Sequence, residues 1–479
     1  LTEITSALEA KMGQTPAGPG IPADLILRGG SVITMDGRNS EAEAIAVSAN
    51  EIVFVGSSQD AMRFAGNNTQ VIELNGRAVI PGINDSHLHG AWLGALWPDT
   101  IIGGAGFQSP AARLETGEDR RNAILRTGRL LASLGITSYT EPGLGPGEDN
   151  GPTGCFGSGV LDAYRELADA GDLTARVTVL NLFGELDGAS DIESFERGLR
   201  GFRPYKGDQK WLHLAGVKIF ADGIPPMHNA WTHHCYPDGS SGDLLVDGTD
   251  TAAREGNLRR MILSAHAAGH QIGVHATGDR SIETFLEAVE SAGPESARAA
   301  RHYVIHGDLI SGAALARLGS LGMGINIQPG IAVATAPMLA GVLSDQIAAS
   351  SWPILSAMGG PAKLCLSSDA PVLSPDWRQG IAAAGEWIGT GHGMGNRELM
   401  TGLLKSYTSH AAWQDKAEAW KGTLEPGKAA DLCVLEHNPL EVSPGDLPGV
   451  RVDLTVVDGR IVYDRESAAG EPDSTVAHF

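Results

Sequence analysis

The sequence predicts an α/β protein, a closed (β/α)8 barrel of the TIM type that carries a small β-sandwich domain built from both chain ends. Three observations predict it. From about Pro81 to about Trp413, short apolar segments alternate with longer helical ones. That is the rhythm of a parallel sheet, and its length of about 330 residues suits a closed barrel. The segments before and after it are short strands without intervening helices. The chain has 479 residues, 42% of them apolar, enough to bury a core of that size.

The elements follow in order. Residues 23–35 read as a strand, a Gly29-Gly30 turn and a second strand, and residues 44–48, 51–55 and 77–80 continue the pattern. Residues 431–435, 453–457 and 460–463 are short strands near the other end, the last two joined at Asp458-Gly459. One domain formed from residues 1–82 plus 414–479 is the simplest reading, with the barrel over 83–413. Inside the barrel, residues 121–135, 257–268 and 281–292 have helical patterning. Strands are expected at 136–139, 176–180, 216–220, 271–275, 303–306 and 324–327.

Composition narrows the function. Asp and Glu number 57 against 35 Lys and Arg, a formal charge of −22 that disfavours nucleic acid as a partner. No run of ~18 apolar residues could span a membrane. Residues 1–20 lack a basic region followed by an apolar core, so no secretory leader is expected, and the first residue, Leu1, suggests a trimmed start. The four cysteines (Cys155, Cys235, Cys365 and Cys433) include no C-x-x-C pair, which argues against a zinc ribbon or disulfide framework. Cys365 and Cys433 sit in apolar runs and are expected in the core. A cytoplasmic location is the corresponding expectation. No strand is followed by G-x-G-x-x-G, so a nicotinamide enzyme is disfavoured.

The chemistry begins at Ala78-Val-Ile-Pro-Gly-Ile-Asn-Asp-Ser-His-Leu-His-Gly90. Period two places His87 and His89 on one face at the end of an apolar strand, where two neutral imidazoles can grip one divalent ion. His275, His306 and Asp369 each close another apolar strand. In a barrel those ends form the catalytic face. One such histidine is ordinarily a hydrogen-bonded core residue; four with an aspartate in equivalent positions point to a metal centre. Lys218 lies on the otherwise apolar strand Gly216-Val-Lys-Ile-Phe220. It is either a salt-bridged or snorkelling lysine, or an amine that loses its proton and becomes a carbamate able to bridge two metals.

The order H-x-H, strand lysine, His, His, Asp resembles the amidohydrolase superfamily. Val79-Ile-Pro-Gly-Ile-Asn-Asp-Ser-His-Leu-His89, Val217-Lys-Ile-Phe-Ala-Asp-Gly223, Gly273-Val-His-Ala-Thr-Gly-Asp-Arg280, Arg301-His-Tyr-Val-Ile-His306 and Ser367-Ser-Asp-Ala-Pro371 are similar to its family 3, the group that includes N-substituted formamide deformylase. Gly422-Thr-Leu-Glu-Pro-Gly-Lys-Ala-Ala-Asp-Leu432 is also characteristic of the superfamily. The resemblance runs from about residue 23 to 463. It implies the barrel with its composite β domain, and it implies one or two divalent ions per chain, zinc being expected. His87 and His89 would hold the more buried ion, Lys218 as a carbamate would bridge, and His275 and His306 would hold the second. Asp369 would bind metal and carry protons.

The implied reaction is hydrolysis of a carbon–nitrogen bond in a small amide or N-substituted formamide, with catalytic roles for Asp369, Lys218 and His306. A deaminase, cyclic amidase or esterase would use the same scaffold, and a barrel that only binds ligand is the alternative of a different class. A homodimer is compatible with this reading. Trp92, His228, Trp231 and His302 are candidate substrate contacts; an aryl or alkyl amine portion could pack on Trp92, Trp97, Trp231 or Trp352, in or near predicted loops, although ordinary packing is the commoner role of each. Two places depart from the family pattern: Gly307-Asp308 replaces Ala-Gln, and the loop after the Lys218 strand adds His228, His233 and His234, which could wall the pocket or hold a further metal.

Overall fold

A computed structural model describes residues 22–102, 113–339 and 341–468. Both ends of the chain meet in one mixed sheet. Its N-terminal strands are β1 (Leu25–Ile33), β2 (Glu41–Ser48), β3 (Glu51–Gly56), β4 (Gln70–Glu73) and β5 (Ala78–Pro81). The barrel strands follow in the chain as β6 to β13, and the sheet is completed by β14 (Leu432–Leu435), β15 (Val452–Val457) and β16 (Arg460–Asp464). The order is β16-β15-β14-β5-β1-β2-β3, with β4 beside β1. β5 is the join: it pairs in parallel with β1 and antiparallel with β14 and is buried along its whole length.

The Gly29-Gly30 turn expected near the start is a correction. β1 is one strand, paired with β2 on both sides of an irregularity between Arg28 and Val32. Gly29 has φ +74°, the left-handed conformation of a bulge. A Cβ on Gly30 would lie 2.2 Å from the Arg77 carbonyl, so close packing against a distant segment requires glycine there. The bulge lets the first half of β1 pair with β4 and the second half with β5.

The second sheet is the barrel. Eight parallel strands run in chain order: β6 (Ile83–Asp85), β7 (Ile136–Leu144), β8 (Arg176–Leu182), β9 (Leu212–Phe220), β10 (Gln271–Ala276), β11 (Tyr303–His306), β12 (Gly324–Ile327) and β13 (Lys363–Leu366). Helices such as Gly117–Ser133, Thr251–Ala267 and Asp279–Ser291 bury one face against them. Gly82 alone separates β5 in one sheet from β6 in the other. A side chain there would collide with Thr137 Oγ1 at 2.1 Å. No ladder joins β6 to β13 among the described residues. The gap is bridged by Ser86 Oγ donating to the Leu366 carbonyl (3.1 Å), Asp369 N to the His87 carbonyl (2.9 Å) and His89 N to the Ala370 carbonyl (2.8 Å).

The two sheets are bolted together at the foot of the barrel. Arg176, buried at the start of β8, donates to both oxygens of Asp431 at 2.8 and 3.0 Å and to Asp458 at 2.8 Å. Its guanidinium lies between the rings of Trp211 and Trp420, 4.9 and 5.1 Å from their centroids. Removing one partner of such a buried set leaves uncompensated charge. Arg176→Ala is therefore expected to cost about 3–5 kcal/mol in urea unfolding, and a loss below about 1 kcal/mol, the range of an exposed pair, would show that Arg176 is not the bolt.

All four cysteines are free; Cys155, Cys365 and Cys433 are buried and Cys235 is exposed. Among the described residues no helix is long and apolar enough to cross a membrane.

Candidate functional site

The histidine pair lies just past its strand rather than within it, because β6 ends at Asp85. Asp85, fully buried, holds that exit: it accepts from His87 N at 3.2 Å and from Ser368 N at 3.2 and 3.3 Å, tying the turn of His87 to that of Asp369. Both imidazoles still converge. His87 Nε2 is 3.1 Å and His89 Nε2 3.4 Å from the same Asp369 oxygen. The ligand atoms of the three residues all lie within 4.8 Å of one another, and all three residues are buried. The ring of His306 is 5.4 Å from that of His87 and 4.5 Å from that of His275. Lys218 Nζ sits 4.7 Å over the Phe220 ring, which is itself 5.2 Å from His275. The structure thus brings His87, His89, Lys218, His275, His306 and Asp369 to one end of the barrel.

Two of these residues occupy costly backbone. His306 has φ +73° and Asp369 φ +56°. Such conformations cost about 1–3 kcal/mol each and persist where surroundings impose them. Here the backbone bonds from Asp369 N to His87 O and from Gly307 N to Ala276 O (3.1 Å) do so.

The electrostatics suit a divalent cation. Burial, reinforced by Lys218, pushes His275 down to about 3, and burial with the neighbouring His275 holds His306 well below its ordinary value. Burial also lowers His87 to about 3 against the pull of Asp369. Neutral imidazoles are the ligand form. His89 differs: burial opposes its charge, but hydrogen bonds to Asp369 and Glu141 prevail and push it up to about 9. Burial disfavours the Asp369 carboxylate, yet the electrostatic contact with His87 and the hydrogen bonds from both histidines hold its pKa well below the usual range. His87 Nδ1 is buried and has no hydrogen-bond partner among the described residues. An imidazole whose one polar partner is a carboxylate shared with a second imidazole is a donor set completed by a cation. The residues therefore fit a divalent ion.

Lys218 is 1% exposed, and no carboxylate among the described residues pairs with it within 4.0 Å. Burial brings its pKa down to about 8, opposed by the charges of Asp369 and Asp187.

The expected substrate contacts divide. Trp92 is buried against His89: its ring is 6.0 Å from His89 and 5.3 Å from Phe156, which lies 5.3 Å from His89. Trp231 is also buried, with the Arg280 guanidinium 4.3 Å over its ring. His228 is half-buried at φ +56°, stacked on Tyr236 and bonded to Asp238 at 2.9 Å. His302 requires correction. It precedes β11 and so lies at the opposite end of the strands from His306. Its Nδ1 accepts from Ile272 N at 2.9 Å, and its Nε2 is 2.8 Å from His266. The further metal in the loop is not formed among the described residues: His233 pairs with Glu283 at 2.7 Å, and the one metal-competent group is His87, His89 and Asp369. Asp308, at the other departure, accepts from Trp352 Nε1 at 2.9 Å.

Three supporting residues escaped the sequence reading. Glu141 on β7 meets His89 Nδ1 at 3.3 Å and accepts from Gly90 N at 2.7 Å and the Tyr164 hydroxyl at 3.1 Å. A carboxylate can only accept, so Nδ1 of His89 is held protonated toward Glu141 and Nε2 faces the site. Gln328 Oε1 fixes His306 Nδ1 at 2.7 Å in the same manner. Asp222 accepts from Trp231 N, Thr277 N, Gly278 N and the Ser281 hydroxyl, pinning the loop after β9 to the helix after β10. Glu141 and Gln328 each sit toward the end of a buried strand, the signal that identified His275 and Asp369. Glu141→Gln is expected to weaken metal affinity about 10–100-fold, read by chelator competition. Unchanged affinity would leave Glu141 a packing role only.

The sequence profile of the amidohydrolase family matches residues 100–463. Protein LONG AFTER FAR-RED 3 of Arabidopsis thaliana is 25% identical, covering 93% of this chain and 92% of its own length. N-substituted formamide deformylase of Arthrobacter pascens is 22% identical, covering 92% and 98%. Among solved structures, an uncharacterized metal-dependent hydrolase from Pyrococcus furiosus superposes with a TM-score of 0.69 at 20% identity, covering 87% of this chain and 100% of that one.

Proposed function

Since the chain belongs to the amidohydrolase family, we propose that it is a metal-dependent hydrolase of a carbon–nitrogen bond in a small amide or N-substituted formamide. The observation that carries this reading is the convergence of His87 Nε2, His89 Nε2 and Asp369 at one end of a parallel barrel. A divalent ion held there, zinc being the best match to so nitrogen-rich a set, supplies water of lowered pKa and an electrophile for the scissile carbonyl.

The remaining roles belong to the chain's own side chains. Asp369, kept ionised by its histidine neighbours, takes the proton of the attacking water and returns it to the departing nitrogen. Glu141 and Gln328 hold His89 and His306 in single orientations. Trp92 and Phe156 shield His89 from water on one side. Lys218, as a carbamate, would join His275 and His306 in holding a second ion.

Asp369→Asn tests the proton role. The amide keeps an oxygen for coordination but accepts no proton at neutral pH, so much of the metal should stay while turnover falls about 10²-fold or more. Turnover within about tenfold of the parent, less than general-base catalysis ordinarily contributes, would move the base elsewhere. The substrate class is tested by offering the metal-loaded protein N-substituted formamides, simple amides and heterocycles with an exocyclic amino group. Turnover of the last group alone would make the enzyme a deaminase. Stoichiometric metal without turnover of any class would favour a binding protein.

A further inference from the structure

The foot of the barrel, opposite the histidines, holds a hollow of about 410 Å3 where the starts of β8 and β9 meet residues 415–421. Its charge is unlike that of the whole molecule. The chain carries 57 acidic against 35 basic residues. Four cations (Arg176, Lys210, Lys416 and Lys421) and His213 line the hollow against two acids, Asp208 and Asp415.

The partners of these groups separate structural charges from available ones. Arg176 is taken up by Asp431 and Asp458. Lys421 is buried and bonded to Asp415 at 2.7 Å, and Asp415 also accepts from Asn84 and Thr140. Lys210, Lys416 and His213 remain. None has a side-chain hydrogen bond or ion pair among the described residues. Lys210 Nζ leans over the Trp420 ring at 5.6 Å. Lys416 is exposed at φ +57°, and its pKa is lowered by partial burial and by Arg301, which is itself paired with Glu418. His213 is half-buried and its pKa is lowered, first by burial, so at neutral pH it offers a neutral ring N–H. Asp208 also lines the hollow, where its Oδ1 accepts the backbone N–H of Lys210 at 2.8 Å, and its charge offsets one of the two lysines.

We propose that this hollow is an anion site, in which Lys210, Lys416 and His213 take the phosphate or carboxylate group of a small ligand. The volume admits more than a bare inorganic ion, and two ammonium groups with a ring N–H supply charge-assisted donors without a protein acceptor. Lys421 belongs to the floor and not to the ligand set, because its partner Asp415 also holds β6 and β7.

The test titrates inorganic phosphate and, separately, citrate into the metal-loaded full-length protein at constant ionic strength. It follows tryptophan fluorescence, since Trp211 and Trp420 lie close by, and thermal stability. Saturable binding of at least one anion is expected. In a Lys210→Glu/Lys416→Glu variant that binding should weaken at least about tenfold, since each reversal replaces an attraction with a repulsion. Turnover without added anion should be unchanged. Lys210→Ala/Lys416→Ala should fall between the two and serves if the reversed variant does not fold. Saturation by phosphate alone identifies a phosphate-bearing ligand, and by citrate alone a carboxylate-bearing one. No saturation by either anion overturns the proposal. So does equal affinity in the variants, which would place the anion elsewhere, as at the metal centre.

Discussion

His87→Ala should strip most of the bound metal and lower turnover by at least ~10³ while leaving the fold intact. The two halves of that expectation rest on different atoms. Metal loss follows because His87 Nε2 faces the Asp369 oxygen that His89 also faces, so one of three convergent donors disappears. The fold survives because the segment is held through its main chain: the His87 carbonyl accepts from Asp369 N, and its amide donates to Asp85. Metal content by elemental analysis and far-ultraviolet circular dichroism would be measured on the same sample. Full activity at normal metal content would end the metal-centre reading.

Lys218→Ala should be inactive, and added formate, acetate or propionate should restore part of the activity. Lys218 and Phe220 point to the same face of β9, and Nζ is buried with the aromatic ring below it. Its pKa of about 8 leaves an appreciable neutral fraction near physiological pH, and only the neutral amine adds to carbon dioxide. The vacated volume in the alanine variant would admit a small carboxylate in place of the carbamate that Lys218 would form. Inactivity without rescue, together with one metal per chain in the parent, would restrict the site to His87, His89, His275 and Asp369, with His306 orienting the substrate carbonyl.

Much of this was legible because barrel strands are short apolar runs closed by polar residues. β10 to β13 stand out on that basis, and the same rule found His275, His306 and Asp369. It failed where the closing residue was disguised. Glu141 precedes Pro142-Gly143, which looks like a turn, yet β7 continues through it to Leu144. His302 misled for the opposite reason: it flanks an apolar strand at the beginning, where its ring accepts a backbone N–H. The Gly29-Gly30 bulge depends on Arg77, a contact 47 residues away that local turn chemistry cannot anticipate. The strained φ of His306 and Asp369 is likewise set by neighbours on other strands. No local pattern marks the three unpaired donors at the foot of the barrel, since Lys210, His213 and Lys416 come from two distant segments.

The closure between β6 and β13 has a consequence for how the molecule assembles. The bonds across that seam come from Ser86, His87, His89 and Asp369, so the three residues of the candidate metal group are also the stitches. A cation shared by His87, His89 and Asp369 would fasten the first strand to the last, and its binding energy would be added to the barrel's own closing energy. Metal supply during synthesis would then act as a checkpoint on maturation: chains that never meet an ion would stay unzipped longest at the seam and be the ones most open to proteolysis.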